Sequence, residues 1–169
     1  QVLCLNGTVN PLSVAFTNGT GTVSYQWYSN TVDDTSSGTL ISGATMSSYT
    51  PPNTPTGAVF YYCELTFSQG GCSSILTNTA QVDIVPLPTI STQPTVIQDI
   101  CEGGVIIPLS IAVTGGTGTI TYQWYSNTTN SNTGGTAISG ATLDSYTPPV
   151  FSTAGNFYFY AVATLDGIG

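Results

Sequence analysis

Apolar residues alternate with small or polar ones along much of the chain. Leu12, Val14 and Phe16 follow this pattern, as do Leu109, Ile111 and Val113. Val23, Tyr25 and Trp27 alternate with Ser24, Gln26 and Tyr28. A period of two marks a half-buried strand. Residues 60–67 and 157–165 are rich in aromatics on both faces and predict central strands. Clusters of Gly, Asn and Pro punctuate these runs at short intervals. Nowhere do apolar residues hold a period of 3.6, and the abundant Thr, Val, Ile and Tyr disfavour helix. The pattern predicts an all-β sandwich fold.

The pattern also occurs twice. GTGTVSYQWYSN at 19–30 returns as GTGTITYQWYSN at 116–127, differing only at Val23/Ile120 and Ser24/Thr121. The same offset of 97 residues places Cys4 on Cys101, ISGAT at 41–45 on 138–142, and SYTPP at 48–52 on 145–149. One insertion makes the offset 98, aligning Gly57 with Gly155 and Thr66 with Thr164. Self-similarity at a fixed period is the mark of a tandem array. The Pro86-Leu87-Pro88 joint interrupts the apolar runs and is semi-rigid by composition. Two domains are therefore expected, 1–86 and 87–169.

The strand order resembles the immunoglobulin fold. Thr89–Gln93 stands for a first strand, and a turn at 101–104 leads to a second through Ile111. Trp27 and Trp124 sit in the third, where such domains bury a tryptophan, and Tyr61-Tyr62-Cys63 resembles the Tyr-x-Cys of the sixth. The wording "YQWYSN…ISGAT…SYTPP…YYC" is similar to the Ig-like repeats of very large secreted surface adhesins and filament proteins of Bacteroidota. That resemblance implies two tandem Ig-like sandwiches, an extracellular or cell-surface location, and a structural or adhesive role without catalytic residues. By the offset, the first unit lacks its first strand, and the second lacks the last strand, which 75–84 represents in the first. Either the chain is a segment of a longer array, or a neighbouring copy supplies the missing strand and a filament results.

Charge narrows the functions further. The chain holds eight acidic residues and no Lys, Arg or His. It has no basic patch for nucleic acid, no imidazole for a Ser-His-Asp triad and no trypsin site. Without a run of 18 apolar residues it predicts no helix inserted in a membrane. Asp33-Asp34 are the one adjacent carboxylate pair, and neighbours in a loop do not make a glycosidase site.

Cys4, Cys63, Cys72 and Cys101 are candidate disulfide residues, as exported β domains often carry bridges. The immunoglobulin-like order puts Cys4 in the turn before the second strand and Cys72 at the opposite end, which favours Cys4–Cys63. Closing that loop of about 60 residues would stabilise by roughly 4 kcal/mol on the chain-entropy model. Cys4–Cys72 and a bridge between adjacent units stay open. No cofactor is called for. Calcium at the joint, held by Asp83, Asp99 and Glu102, is the single metal expectation. Asn6, Asn18 and Asn127 open glycosylation sequons, and the many Ser and Thr invite O-linked sugar. Tyr28 and Tyr125 face outward, either to stack on glycans or to pack across strands. The expected partners are copies of the chain or neighbouring repeats, and glycans. A carbohydrate- or ligand-binding module is the alternative reading.

Overall fold

The computed structural model describes residues 1–69 and 74–167 and is all-β. The chain divides into two compact units, Gln1–Pro86 and Leu87–Gly167. The first unit comprises β1 (Val2–Cys4), β2 (Leu12–Ser13), β3 (Thr20–Asn30), β4 (Thr39–Leu40), β5 (Ser48–Tyr49), β6 (Gly57–Gln69), β7 (Ser74–Leu76) and β8 (Ala80–Val85). The second comprises β9 (Thr89–Thr92), β10 (Leu109–Ser110), β11 (Ala112–Thr114), β12 (Ile120–Asn127), β13 (Thr136–Ala137), β14 (Ser145–Tyr146) and β15 (Tyr158–Leu165).

In the first unit a sheet of order β1-β8-β6-β3-β4, with β7 also on β6, faces the short β2–β5 ladder. The alternation in β3 and β6 turns one side of this sheet inward. Trp27, Tyr61, Cys63 and Leu65 meet Val82 and Ile84 of β8 and Leu3 of β1, and Leu12 and Tyr49 close over them from the small ladder. Burying each such apolar side chain contributes about 1.5–3 kcal/mol. The second unit repeats the plan with β13-β12-β15 as its larger sheet, β10–β14 opposite, and β9 paired antiparallel with β11. Its buried cluster is smaller: Leu109, Ile111 and Trp124.

Four expectations need correcting. Residues 2–4 are not the turn expected before the second strand: β1 runs parallel to β8, with Cys4 beside Val85. Cys4 therefore lies in a strand and not in a turn. A counterpart of β9, however, is absent from the first unit among the described residues. The segment expected to be one last strand, 75–84, is two: β7 on Glu64–Thr66 and β8 on Gly57–Tyr61. Thr77 separates them, since its hydroxyl accepts the Cys63 amide at 3.0 Å in place of a backbone carbonyl. Segment 157–165 is not central: among the described residues β15 pairs with β12 alone, whereas β6 has partners on both sides. Finally, the alternation at Leu12, Val14 and Phe16 yields only a two-residue strand, and Phe16 leaves the core to lie edge-on against Phe67.

Candidate functional site

The repeated motif builds the same device in both units. The Trp27 amide donates to the Ala44 carbonyl at 3.0 Å, and the Ile41 amide returns to the Trp27 carbonyl at 3.0 Å. The Trp124 amide donates to Ala141 at 3.0 Å and Ile138 to Trp124 at 2.9 Å. Each indole N–H reaches one carbonyl beyond the turn, Met46 or Leu143, both at 2.9 Å. The preceding glutamine completes the clamp. Gln26 Nε2 donates to the Trp27 and Ile41 carbonyls at 2.9 and 2.8 Å, and Gln123 does the same to Trp124 and Ile138 at 2.8 Å. Gly43 and Gly140 turn the ISGAT loop at φ 77° and 76°, a region that favours glycine. Tyr49 and Tyr146 tilt onto the indoles at 5.9 Å and 32° in each unit. The motif's polar groups are thus engaged within the fold, and both indoles are buried.

The cysteines are not joined as expected. Cys4, Cys63 and Cys101 are free thiols, so the Cys4–Cys63 bridge is not formed. Register explains why. Ile84 pairs with Gly57 and Cys4 with the next residue, Val85, whereas Cys63 pairs with Trp27 farther along β6. At about 3.4 Å per residue the two thiols stand roughly 20 Å apart along the strands, and a disulfide needs Cα atoms within about 7 Å. Burial pushes the Cys63 thiol above its ordinary pKa, which keeps it protonated and unreactive. Cys101 is exposed. Cys72 lies outside the described residues.

The expected calcium acids divide between the units: Asp83 on β8, Asp99 and Glu102 in the second unit. Glu102 Oε1 accepts the Ala154 amide at 2.9 Å, tying down the loop before β15. Among the described residues no group of three His, Cys, Asp or Glu side chains could hold a metal ion. Asp33 and Asp34 face different partners. Asp33 accepts the Thr79 hydroxyl, and Asp34 accepts Ser36 and Ser37 hydroxyls at 2.8 Å each. Those hydroxyls hold the Asp34 carboxyl below its ordinary pKa, the Ser36 bond most strongly.

The sequon residues also differ. Asn6 and Asn18 are exposed at left-handed turns, φ 67° and 65°. Asn127 Nδ2, the atom a glycan would take, donates to the Ser131 and Thr133 carbonyls at 2.9 and 3.0 Å. A sugar on Nδ2 would replace one of its two hydrogens and so cost the β12–β13 loop one of these bonds.

Tyr28 stacks on Tyr62 at 5.1 Å and 6°, and Tyr125 on Tyr160 at 4.9 Å and 4°. Both are cross-strand pairs. Tyr62 and Tyr160 also accept the Gly38 and Gly135 amides at 3.2 Å, pinning the loops at the sheet edge. Tyr28 donates to Glu64 at 3.0 Å; that bond, with burial and the carboxylate charge, raises its pKa. Sequence reasoning missed the tyrosine–glycine contacts, although the fixed spacing of Gly38/Gly135 to the YQWY segment was available. A cavity of about 310 Å³ lies in the first unit. Leu12, Val14, Trp27 and Tyr61 form its apolar wall, and Thr77 and Asn78 its polar rim. The Thr77 hydroxyl is occupied, accepting from Cys63 and donating to the Asn78 carbonyl.

Two comparisons bear on these units. A domain of unknown function, DUF8696, matches the chain over 1–86 and again over 90–167. No curated protein matches it.

Proposed function

The chain belongs to the DUF8696 family, whose domain it carries twice, and we propose that it is a non-enzymatic structural segment of an extracellular bacterial surface filament or adhesin, built from Ig-like repeats. The observation that carries this is the duplicated clamp. Gln26, Trp27 and the ISGAT loop, and their counterparts around Trp124, direct their hydrogen bonds inward, to hold a strand against a turn. A motif repeated for chemistry would leave polar atoms facing a ligand; this one is repeated for the fold. Cohesion then comes from apolar burial and backbone ladders, which salt does not screen. With no Lys or Arg the surface also offers trypsin no cleavage site. Antibody raised against the chain should decorate filaments on intact cells of the source organism. Labelling that appears only after permeabilisation would defeat the reading.

The tyrosine pairs favour one second reading, a carbohydrate-binding module, because the same stacked pair recurs in both larger sheets with Tyr28 and Tyr125 partly exposed. Glycan-array binding that disappears in Tyr28→Ala and Tyr125→Ala, with folding intact, would select it over the structural role.

A further inference from the structure

The two tyrosine stacks differ at one position. In each unit a tyrosine lies flat on its cross-strand neighbour, Tyr28 on Tyr62 and Tyr125 on Tyr160, with the rings within 6° of parallel. In each, a glycine amide donates to the second phenol oxygen at 3.2 Å, Gly38 to Tyr62 and Gly135 to Tyr160. What changes is the residue paired with the glutamine two places before the stack's first tyrosine. Gln26 pairs with Glu64, whereas Gln123 pairs with Val162. The first unit therefore sets a carboxylate against its stack, and Tyr28 donates its phenolic proton to Glu64 Oε2 at 3.0 Å. Stacking does not need this bond, since the second pair forms at 4.9 Å and 4° with a valine in that place. A phenol that loses an electron becomes a strong acid. Its oxidation is easiest where a positioned base takes the proton as the electron leaves. The bond to Glu64 also holds the Tyr28 phenol above its ordinary pKa, so at neutral pH the proton is still present and has to move when the ring is oxidised. Tyr62 is buried, and its oxygen already accepts the Gly38 amide, which holds electron density against removal. Tyr28 is half-buried, with part of its surface open to solvent.

We propose that Tyr28 is an oxidative coupling site, at which a one-electron oxidant and the Glu64 carboxylate together turn the phenol into a phenoxyl radical that captures a second phenol. The electron passes to the oxidant and the phenolic proton to Glu64 Oε2, which returns it to solvent. The Tyr28 phenoxyl then meets a second phenoxyl, and a carbon–carbon bond forms between their ortho positions. The ortho hydrogen of each ring moves to its oxygen, which restores both phenols. In sum two electrons and two protons leave the pair. Hydrogen peroxide, acting through a haem peroxidase, takes them and becomes two waters. The second unit holds the same stack without the base, so Tyr125 is the built-in control. The site is independent of the filament and glycan readings, and its failure would leave both standing.

The test treats the full chain with a haem peroxidase, hydrogen peroxide and N-acetyltyramine, a neutral phenol that the acidic surface does not attract. Adducts are mapped by mass spectrometry of peptic peptides. Tyr28 and Tyr125 are both half-buried, so exposure alone predicts similar labelling. With the base in place, Tyr28 should take the label about tenfold faster than Tyr125, a modest share of what a positioned base supplies. Glu64→Gln keeps an acceptor beside Tyr28 but takes no proton, and should bring Tyr28 down to the rate of Tyr125. Val162→Glu, at a position 43% exposed, should raise Tyr125 toward the rate of Tyr28. Circular dichroism and tryptophan fluorescence report whether each variant folds. If Glu64→Gln does not, the native comparison and the gain in Val162→Glu still decide. Equal labelling of Tyr28 and Tyr125 would overturn the site. So would unchanged labelling of Tyr28 in a folded Glu64→Gln, no gain at Tyr125 in a folded Val162→Glu, or label that reaches Tyr62 before Tyr28.

Discussion

Trp27 and Trp124 occupy the same clamp with different surroundings. Around Trp27 the buried cluster includes Leu3, Tyr61, Cys63, Leu65, Val82 and Ile84; around Trp124 the buried partners are Leu109 and Ile111. The clamp distances nonetheless agree within 0.1 Å, and the Trp–Tyr geometry is the same in both units. Clamp geometry is therefore set locally by the motif, while core size is set by which strands lie beside it. Replacing each tryptophan by alanine should separate these two contributions. Each change removes about 3–5 kcal/mol. With fewer buried partners to compensate, Trp124→Ala should leave the second unit unfolded, while Trp27→Ala leaves the first folded but weakened. Urea unfolding followed by circular dichroism and by the remaining tryptophan reads this directly. Equal losses in the two units would mean that the thinner core is no weaker.

A narrower cut bears on β8 itself. Ile84→Ala should destabilise the first unit by about 2–5 kcal/mol and leave the unfolding of the second unchanged. Coupled melting of both units would show that β8 does more than close its own core. The clamp should behave alike on both sides. Gln26→Leu and Gln123→Leu each remove two hydrogen bonds to carbonyls, at a cost of about 1–3 kcal/mol. Thermal melts in which only one variant loses stability would break the equivalence of the two clamps.

The strands with the clearest alternation, β3 and β12, were legible because their inward and outward residues are fixed by local pattern. The duplication was legible because YQWYSN, ISGAT and SYTPP are each short and contiguous. β1 was not, because Val2–Cys4 has only three residues and becomes a strand through β8, some eighty residues later. Its misplacement carried the Cys4–Cys63 expectation with it, since a bridge depends on register that no local pattern encodes. The split at Thr77 was hidden for a related reason: a hydroxyl replaces a carbonyl in the ladder only once Cys63 is opposite. Tyr28 and Tyr125 left both a sugar platform and cross-strand packing open, because composition does not reveal which rings face each other. The clamp itself was invisible as a device, because Gln26 and Gln123 looked like ordinary outward strand residues.

The smallest contrast lies in the loops after β3 and β12. Both are anchored by an asparagine: Asn30 Nδ2 donates to the Asp34 carbonyl at 3.0 Å, and Asn127 Nδ2 to the Ser131 carbonyl at 2.9 Å. Beyond the anchor they differ, since Asp34 holds Ser36 and Ser37 where the second loop pairs Ser131 with Thr133. The Asp34 carboxyl is held below its ordinary pKa by those hydroxyls, Ser36 first. A lowered acid pKa stabilises the charged, folded form. That contribution is full above the unfolded value, near 4 for aspartate, and is lost as pH falls through the lower folded value. Because the loop is exposed the effect is small, and local exchange will register it before any global melt. On acidification, amide exchange at Ser36 and Ser37, corrected for its intrinsic pH dependence, should lose protection. Exchange at Ser131 and Thr133 should not, because their partner hydroxyls do not titrate in that range. Parallel loss in both loops would mean that the asparagine anchors, and not the Asp34 carboxylate, respond to acid.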